Sequence, residues 1–354
     1  MDNTGSLNRA SLQAWVANEV ARLEIQCEQQ TVVLTPLSGD AGFRQYFRVN
    51  TVPPMLAVMA PKTQGVSESA QYFERLSVAL RQHQVCTPAI VACDAEQNYM
   101  LIESFGDRSL LDELSSETVD ALYSQSLMTL MNIQQVPFDA LVLPEYDEEL
   151  LLREMALFPQ WFVQDLLGYS LSEGERADIA SVFEFLTAQA LEQPKVLVHR
   201  DYHSRNLMYR QGIPPGVIDF QDAVWGPVTY DLVSLLRDCY VRWSPAQVRK
   251  WALGYANMAH QADLIGVVSE EQFMRWFDTM GLQRHIKVLG IFARLYLRDG
   301  KARYLDDLPL VIRYVLDVAR QHPQTQAFAD WFEQQLLPLI QQQSWYRPYE
   351  SAGE

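Results

Sequence analysis

Four cysteines in 354 residues, at positions 27, 86, 93 and 239, form no C-x-x-C pair, so neither a metal knuckle nor a redox dithiol is indicated. Cations are scarce as well. Lys and Arg number 28 against 44 Asp and Glu, a formal net charge of −16, which excludes a general binder of nucleic acid or anionic membrane. No apolar run reaches spanning length, since the longest candidate, from Ile286 to Leu297, is broken by Lys287 and Arg294. The opening Met1-Asp2-Asn3-Thr4-Gly5 lacks a basic-then-apolar signal region. Internal repeats are absent, and the only low-complexity tract is Gln341-Gln342-Gln343. A reduced, cytoplasmic protein is the simplest reading of these absences, and no obligate protein partner is inferred. With 48% hydrophobic residues it can bury the core of one large or two smaller domains.

What is present is concentrated between residues 199 and 222. His199-Arg200-Asp201-Tyr202-His203-Ser204-Arg205-Asn206 fits H-R-D-x-x-x-x-N, and Ile218-Asp219-Phe220-Gln221-Asp222 follows it. In such a loop the Asp accepts a hydroxyl proton and the Asn binds a metal ion, while a later strand-borne Asp binds metal too. Phosphoryl transfer needs a carboxylate beside the attacking oxygen and hard oxygen ligands for Mg²⁺ on the phosphates. Asp201 is therefore the candidate base, Asn206 and Asp219 the candidate Mg²⁺ ligands, and ATP the expected donor. Val196-Leu197-Val198 enters the loop as a strand, Asn206 to Tyr209 leaves it, and the turn Gln211 to Gly216 precedes Val217 to Phe220. This predicts a hairpin that brings Asp219 beside Asn206.

The surrounding pattern is α+β. Leu12, Trp15, Val16, Val20 and Leu23 recur at helical spacing. Strands are expected over 31–37, 43–49, 56–60 and 98–103, with a helix opened by Ser67 that buries Ala70, Phe73, Leu76 and Leu80. Beyond Gly106 the chain reads as mainly helical. Ser172 to Glu175 has capping-box spacing, and helices are expected from Asp231, Pro245, Leu282, Asp307 and Thr325. The architecture read here is a two-lobed one, residues 1–104 forming a small antiparallel-sheet nucleotide lobe and 105–354 a larger helical catalytic and acceptor lobe. The site is expected in the cleft between them.

Several further residues are candidates. Ser38-Gly39-Asp40-Ala41-Gly42 lies between two strands, where a kinase has its Gly-rich loop, although a plain hairpin turn is the rival reading. Arg44 alternates with Tyr46 and Arg48 against Phe43, Phe47 and Val49, which aims it at phosphate or puts it on a solvated face. Glu103 and Phe105 at the lobe junction complete the nucleotide-binding candidates. The strand Lys of a kinase is missing: Leu56-Ala57-Val58-Met59 puts Met there, and Lys62 or Arg44 would have to substitute. Only a dozen residues separate Asp219 from Asp231, and no Ala-Pro-Glu follows, so a protein-sized acceptor is not indicated. Asp231 is expected to cap its helix. For the acceptor, Glu154, Phe158, Trp161 and Asp165 are placed on one helix face bent at Pro159, Glu154 meeting a hydroxyl and Trp161 a sugar ring, with ordinary packing as the rival. His203 and Asp222 are further acceptor candidates. Arg284, Lys287, Arg294 and Arg298 form a stripe that is either a solvated face or a site for an anionic substrate, with Arg294 as its candidate contact.

With these motifs the sequence resembles the aminoglycoside phosphotransferase and choline kinase group, small-molecule kinases with a protein-kinase-like fold, over nearly the whole chain. Residues 37–48, 58–61, 217–227 and 281–294 are similar to a narrower group, the bacterial anomeric kinases of N-acetylmuramate and N-acetylglucosamine. The resemblance implies ATP- and Mg²⁺-dependent phosphorylation of a sugar C1 hydroxyl in peptidoglycan recycling. It also implies that a strand without Lys is compatible with activity. Three other readings stand beside it: an aminoglycoside or choline-like kinase of the same fold, a nucleotide-binding pseudokinase, and a hydrolase with His199, Asp201 and His203 on a transition metal.

Overall fold

The computed structural model describes residues 4–37, 44–60 and 69–353. They begin with helix α1 (Thr4–Arg22) and strands β1 (Gln26–Cys27), β2 (Leu34–Pro36), β3 (Gln45–Val49), β4 (Thr51–Val52) and β5 (Met55–Met59). Helix α2 (Ala70–Gln82), β6 (Ile90–Asp94), β7 (Tyr99–Glu103), α3 (Val119–Gln134) and α4 (Glu148–Met155) follow. A π-helical segment, Phe158–Leu166, leads to α5 (Glu173–Leu191), β8 (Lys195–Val198), β9 (Leu207–Met208), β10 (Gly216–Val217) and β11 (Val224–Pro227). The chain then runs through α6 (Tyr230–Leu236), α7 (Pro245–Gln261), α8 (Glu270–Asp299), α9 (Leu308–Ala319) and α10 (Pro323–Trp331). The class is α+β, a small antiparallel sheet first and mainly helices after it, as in protein-kinase-like folds. Packing divides the chain into two compact units, residues 1–129 with 205–222, and residues 130–204 with 223–354.

In the first unit five strands pair antiparallel in the order β2-β3-β5-β7-β6. Alternation supplies the core: Phe47, Val49, Met55, Ala57, Met59 and Leu101 pack with Leu12, Val16 and Val20 of α1. Met59, at the position where a kinase carries Lys, is one of these core residues. Only Leu34–Pro36 of the expected 31–37 pairs, on an edge where the missing N–H of Pro36 is tolerated. Helix α2 starts at Ala70 and not at Ser67, which lies outside the described residues. Its N-cap is Ser69, whose hydroxyl accepts from the Tyr72 N–H at 3.1 Å. β6 was not expected, because all five of its residues are half-buried and show no alternation.

The second unit is built around α8. Phe277, Leu282, Ile286, Leu289 and Ala293 are fully buried, and so are the polar Gln283 and His285. The helix expected from Leu282 begins twelve residues earlier, at Glu270, where Ser269 accepts from the Gln272 N–H at 3.2 Å, and it ends at left-handed Gly300. A helix buried all round carries no apolar stripe to mark its start. It packs against α5, α6, α9 and the π-helical segment. Gly290 makes the last contact possible, since a Cβ there would sit 2.4 Å from the carbonyl carbon of Leu157. The capping box of Ser172 and Glu175 is present on α5.

Candidate active site

In the second unit the buried β8 pairs with β11 and delivers the chain into the 199–206 loop. The loop backbone is clamped at two points. Asp231, in the first turn of α6, accepts from the N–H groups of His199 at 2.6 Å and Arg200 at 3.0 Å. Asp238, just beyond α6, accepts from the Ser204 N–H at 2.9 Å. The expectation that Asp231 caps its own helix is thereby corrected: Thr229 holds the N-cap position, and the fully buried carboxylate serves the loop. Burial pushes the Asp231 carboxyl up to about 7, with Asp201 adding to the rise and the two N–H groups and Arg284 opposing it. Arg200 is held at φ 76°, a conformation that side chains with a Cβ rarely adopt and that the clamp maintains.

Charge around Asp201 is balanced by an interior cluster. Glu154, on α4, accepts from Lys287 Nζ at 2.9 Å, from the Arg200 guanidinium and from the Tyr146 hydroxyl. Lys287 Nζ also donates to the Tyr230 hydroxyl at 3.0 Å. Burial raises the Asp201 carboxyl, but Lys287, His203, Arg200 and His199 together outweigh it and hold the group below the usual carboxylate value. Burial also raises the Glu154 carboxyl, and Lys287, Arg200 and the Tyr146 hydroxyl outweigh it, with the same net lowering. The outcome is a half-buried carboxylate at Asp201 that surrounding cations keep ionised.

The expected stripe of Glu154, Phe158, Trp161 and Asp165 does not share one face. The α-helix ends at Met155 and the chain continues as a π-helix with Pro159 near its start, which rotates the later residues. Phe158 is buried in the unit's core, Trp161 is half-buried against it, and Asp165 is exposed, accepting from Gln160. The stripe on α8 is not a solvated face either: Arg284 and Lys287 are buried, Arg294 is half-buried, and only Arg298 is exposed, paired with Asp299 at 2.7 Å. His203 is half-buried, edge-on to Tyr240 at 5.4 Å between centroids.

The first unit holds the other part of the motif. β9 and β10 form the expected hairpin, Met208 opposite Gly216 and Leu207 opposite Val217, although each strand is only two residues long. Ile218 N–H donates to the Asn206 carbonyl at 3.1 Å, and the Asn206 amide reaches Asp219 Oδ2 at 3.4 Å. Gln221 donates to Asp219 Oδ1 at 2.7 Å. Asp219 has φ 64° and is exposed, as is Asp222. These are oxygen donors side by side, a set that suits Mg²⁺, which takes one or two protein ligands and keeps water and phosphate oxygens for the rest. Among the described residues no group of three or more His, Cys, Asp or Glu could hold a metal, so the reading of His199, Asp201 and His203 as a transition-metal site finds no support.

The nucleotide candidates fall unevenly. Ser38, Gly39, Asp40, Ala41 and Gly42 lie outside the described residues, as does Lys62. Arg44 is buried, its guanidinium 5.4 Å from the Phe73 ring centre, and Phe73 in turn packs on Phe220 at 4.6 Å, next to Asp219. A solvated strand face is therefore not its setting. Glu103 accepts from the Ala89 N–H at 3.2 Å. Phe105 lies under the Arg210 guanidinium at 5.1 Å and against Gly216, where a Cβ would come within 2.3 Å of its ring.

Missed by sequence reasoning were the Asp231 and Asp238 clamps and the Glu154–Lys287 pair. Two Asp, 231 and 238, enclosing the uncharged Leu232-Val233-Ser234-Leu235-Leu236 and the single charge of Arg237 were the available signal.

A family model described as the phosphotransferase enzyme family matches residues 33–266. An N-acetylmuramate/N-acetylglucosamine kinase of Pseudomonas putida is 42% identical over 293 residues, covering 82% of this chain and 85% of that protein. One of the same name from Pseudomonas aeruginosa is 41% identical, with 82% and 85% covered. Among solved structures, the GDP complex of wild-type aminoglycoside 2'-phosphotransferase-IIIa aligns with a TM-score of 0.60 at 16% identity, covering 86% of this chain and 99% of the other, a likeness of fold. No helix among the described residues is long and apolar enough to cross a membrane.

Proposed function

The chain belongs to the phosphotransferase enzyme family, and we propose that it transfers the γ-phosphoryl group of ATP to the C1 hydroxyl of N-acetylmuramate or N-acetylglucosamine. The transfer chemistry rests on the clamped, ionised Asp201. The choice of sugar rests on one observation, the similarity along four-fifths of the chain to kinases named for those two sugars.

Asp201 takes the proton of the C1 hydroxyl as that oxygen bonds to the γ-phosphorus, while the bond to the bridging oxygen breaks and ADP leaves. A hemiacetal hydroxyl is more acidic than an ordinary alcohol, so a carboxylate of low basicity suffices. Glu154 does not meet the substrate in this reading, because its oxygens are occupied; it holds Lys287 and Arg200 in place. Trp161 and His203 offer ring and edge contacts to the sugar. Asn206 and Asp219 would hold Mg²⁺, and Asp222 is a further candidate beside them; the ion would neutralise charge on the phosphates. Residues 1–104 serve the nucleotide, with Ser38 to Gly42, Arg44, Glu103 and Phe105 as its contacts, and residues 105–354 serve catalysis and the acceptor. Arg44 takes the part of the missing strand Lys, its link through Phe73 to Phe220, the residue after Asp219, being what supports this.

The test is turnover with ATP and Mg²⁺ on a panel of N-acetylated sugars, aminoglycosides and choline, following ADP and the reducing end together. The expected result is ADP release only with the sugars and equal loss of reducing ends. A product that still reduces copper reagents would remove the C1 assignment, and ADP release with the cationic panel alone would remove the sugar.

A further inference from the structure

N-acetylmuramate differs from N-acetylglucosamine by a lactyl ether on C3, and that group ends in a carboxylate. A site that accepts both sugars must meet an anion in one and water in the other. The four cations of the α8 stripe, Arg284, Lys287, Arg294 and Arg298, differ in whether they are already satisfied. Arg284 donates to Cys239 at 3.4 Å and feels Asp238, Lys287 is held by Glu154 and Tyr230, and Arg298 is bidentate to Asp299 at 2.7 and 2.8 Å. Arg294 makes no hydrogen bond or ion pair among the described residues, and its Nε is buried without a partner. Burial and the like charge of Arg298 both lower its pKa, and the carboxylate that opposes them, Asp299, is already taken by Arg298. A half-buried guanidinium in that state is costly unless something else supplies the anion.

Its position is also informative. Arg294 lies seven positions beyond Lys287, about two turns of helix, so both project from the same side of α8 about 10 Å apart. Lys287 acts on Asp201, where the C1 hydroxyl is deprotonated. An arginine side chain and a hexose carrying a C3 substituent together span such a gap.

Resting on the sugar-kinase reading above, we propose that Arg294 is the subsite for the acceptor's carboxylate and so ranks N-acetylmuramate above N-acetylglucosamine. Guanidinium is suited to this because it meets a carboxylate with two parallel N–H donors.

The experiment is steady-state kinetics of the parent, Arg294→Ala and Arg294→Lys on N-acetylmuramate, N-acetylglucosamine and the 3-O-methyl ether of N-acetylglucosamine, which keeps the ether and lacks the charge. In the alanine variant the kcat/KM ratio of N-acetylmuramate to N-acetylglucosamine falls by roughly 10- to 100-fold, the worth of a hydrogen bond to a charged group. The fall lies in KM. Lysine recovers part of it, and the ratio of the methyl ether to N-acetylglucosamine stays where it was. Equal losses on all three sugars, or an unchanged ratio, would overturn the proposal while leaving the kinase reading intact. A parent that turns over neither natural sugar would overturn that reading and this one with it.

Discussion

The loop carrying Asp201 and the hairpin carrying Asn206 and Asp219 are adjacent in sequence and opposite in construction. The loop is fixed by two buried aspartates on its backbone and an interior cluster of Glu154, Lys287 and Arg200 around its side chains. The hairpin rests on two-residue strands, and its Asp219 is exposed, with Gln221 and Asn206 near it. On the proposed reading, the contrast follows from what each carboxylate would be asked to do. A base has to be aimed and ionised before the acceptor arrives, so the protein supplies its whole environment. Oxygen ligands of a hard cation gain from staying open, because the ion brings its own water and phosphate shell.

Variants on the two sides test that contrast, beginning with the largest effect. Asp219→Ala abolishes turnover, and Asn206→Ala leaves a small residue of it, because charge neutralisation on the phosphates dominates this chemistry. Neither variant shifts the melting temperature appreciably, since at the open end of the hairpin Asp219 is exposed and the Asn206 amide reaches it only at 3.4 Å; parental turnover of both in excess Mg²⁺ would remove them as ligands. Asp201→Asn comes next. It keeps the shape and loses the basicity, so turnover falls roughly 10²- to 10⁴-fold while ATP binding, followed by calorimetry, persists. Near-parental turnover would take Asp201 out of the base role.

The hairpin was legible in the sequence because its signals are local: a Gly- and Pro-rich turn between two apolar runs, with Asn and Asp at fixed offsets. The Ser172 capping box and the apolar face of α2 were legible for the same reason. The clamps were not. Asp231 serves N–H groups 31 and 32 residues earlier in the chain, and nothing in the composition of α6 names a partner at that range. Arg284 and Lys287 misled in another way, since a charged stripe ordinarily marks water. Here the charges are buried because carboxylate, thiol and phenol groups from other elements meet them. The π-helical segment after Met155 likewise broke a stripe that a continuous α-helix would have kept on one face.

Glu154→Gln sharpens the contrast from the stability side. It leaves Lys287 and Arg200 buried without their carboxylate, which costs about 3 kcal/mol, the lower end for breaking a buried pair. Lys287 is then free to turn to Asp201, so turnover falls by roughly tenfold, one pKa unit of lost basicity being about 1.4 kcal/mol. Adding Lys287→Met restores part of the stability, because it removes one of the two buried cations left without a counter-charge, Arg200 being the other. An unchanged urea midpoint in the single variant would show that the cluster bears little load.

The smallest effect concerns how the clamp responds to pH. The Asp231 carboxyl is pushed up to about 7 in the folded protein, from an ordinary 3.8. Between those values the folded state keeps a proton that the unfolded chain has released. Stability from this group is therefore full below the unfolded value and is lost as pH rises through about 7, with a slope of at most about 1.4 kcal/mol per pH unit. His285 works the other way in part of the same window: burial pushes it down to about 3, so it adds stability as pH rises toward its unfolded value of 6.5. Comparing the parent with Asp231→Asn removes that complication, because His285 is common to both. Asparagine offers one acceptor where the loop needs two, so the variant is less stable throughout. Its urea midpoint, however, loses less than the parent's between pH 5 and 8. Parallel midpoint curves would mean that Asp231 stays ionised across this range, and the clamp would then be held by its two N–H donors against the full cost of burial.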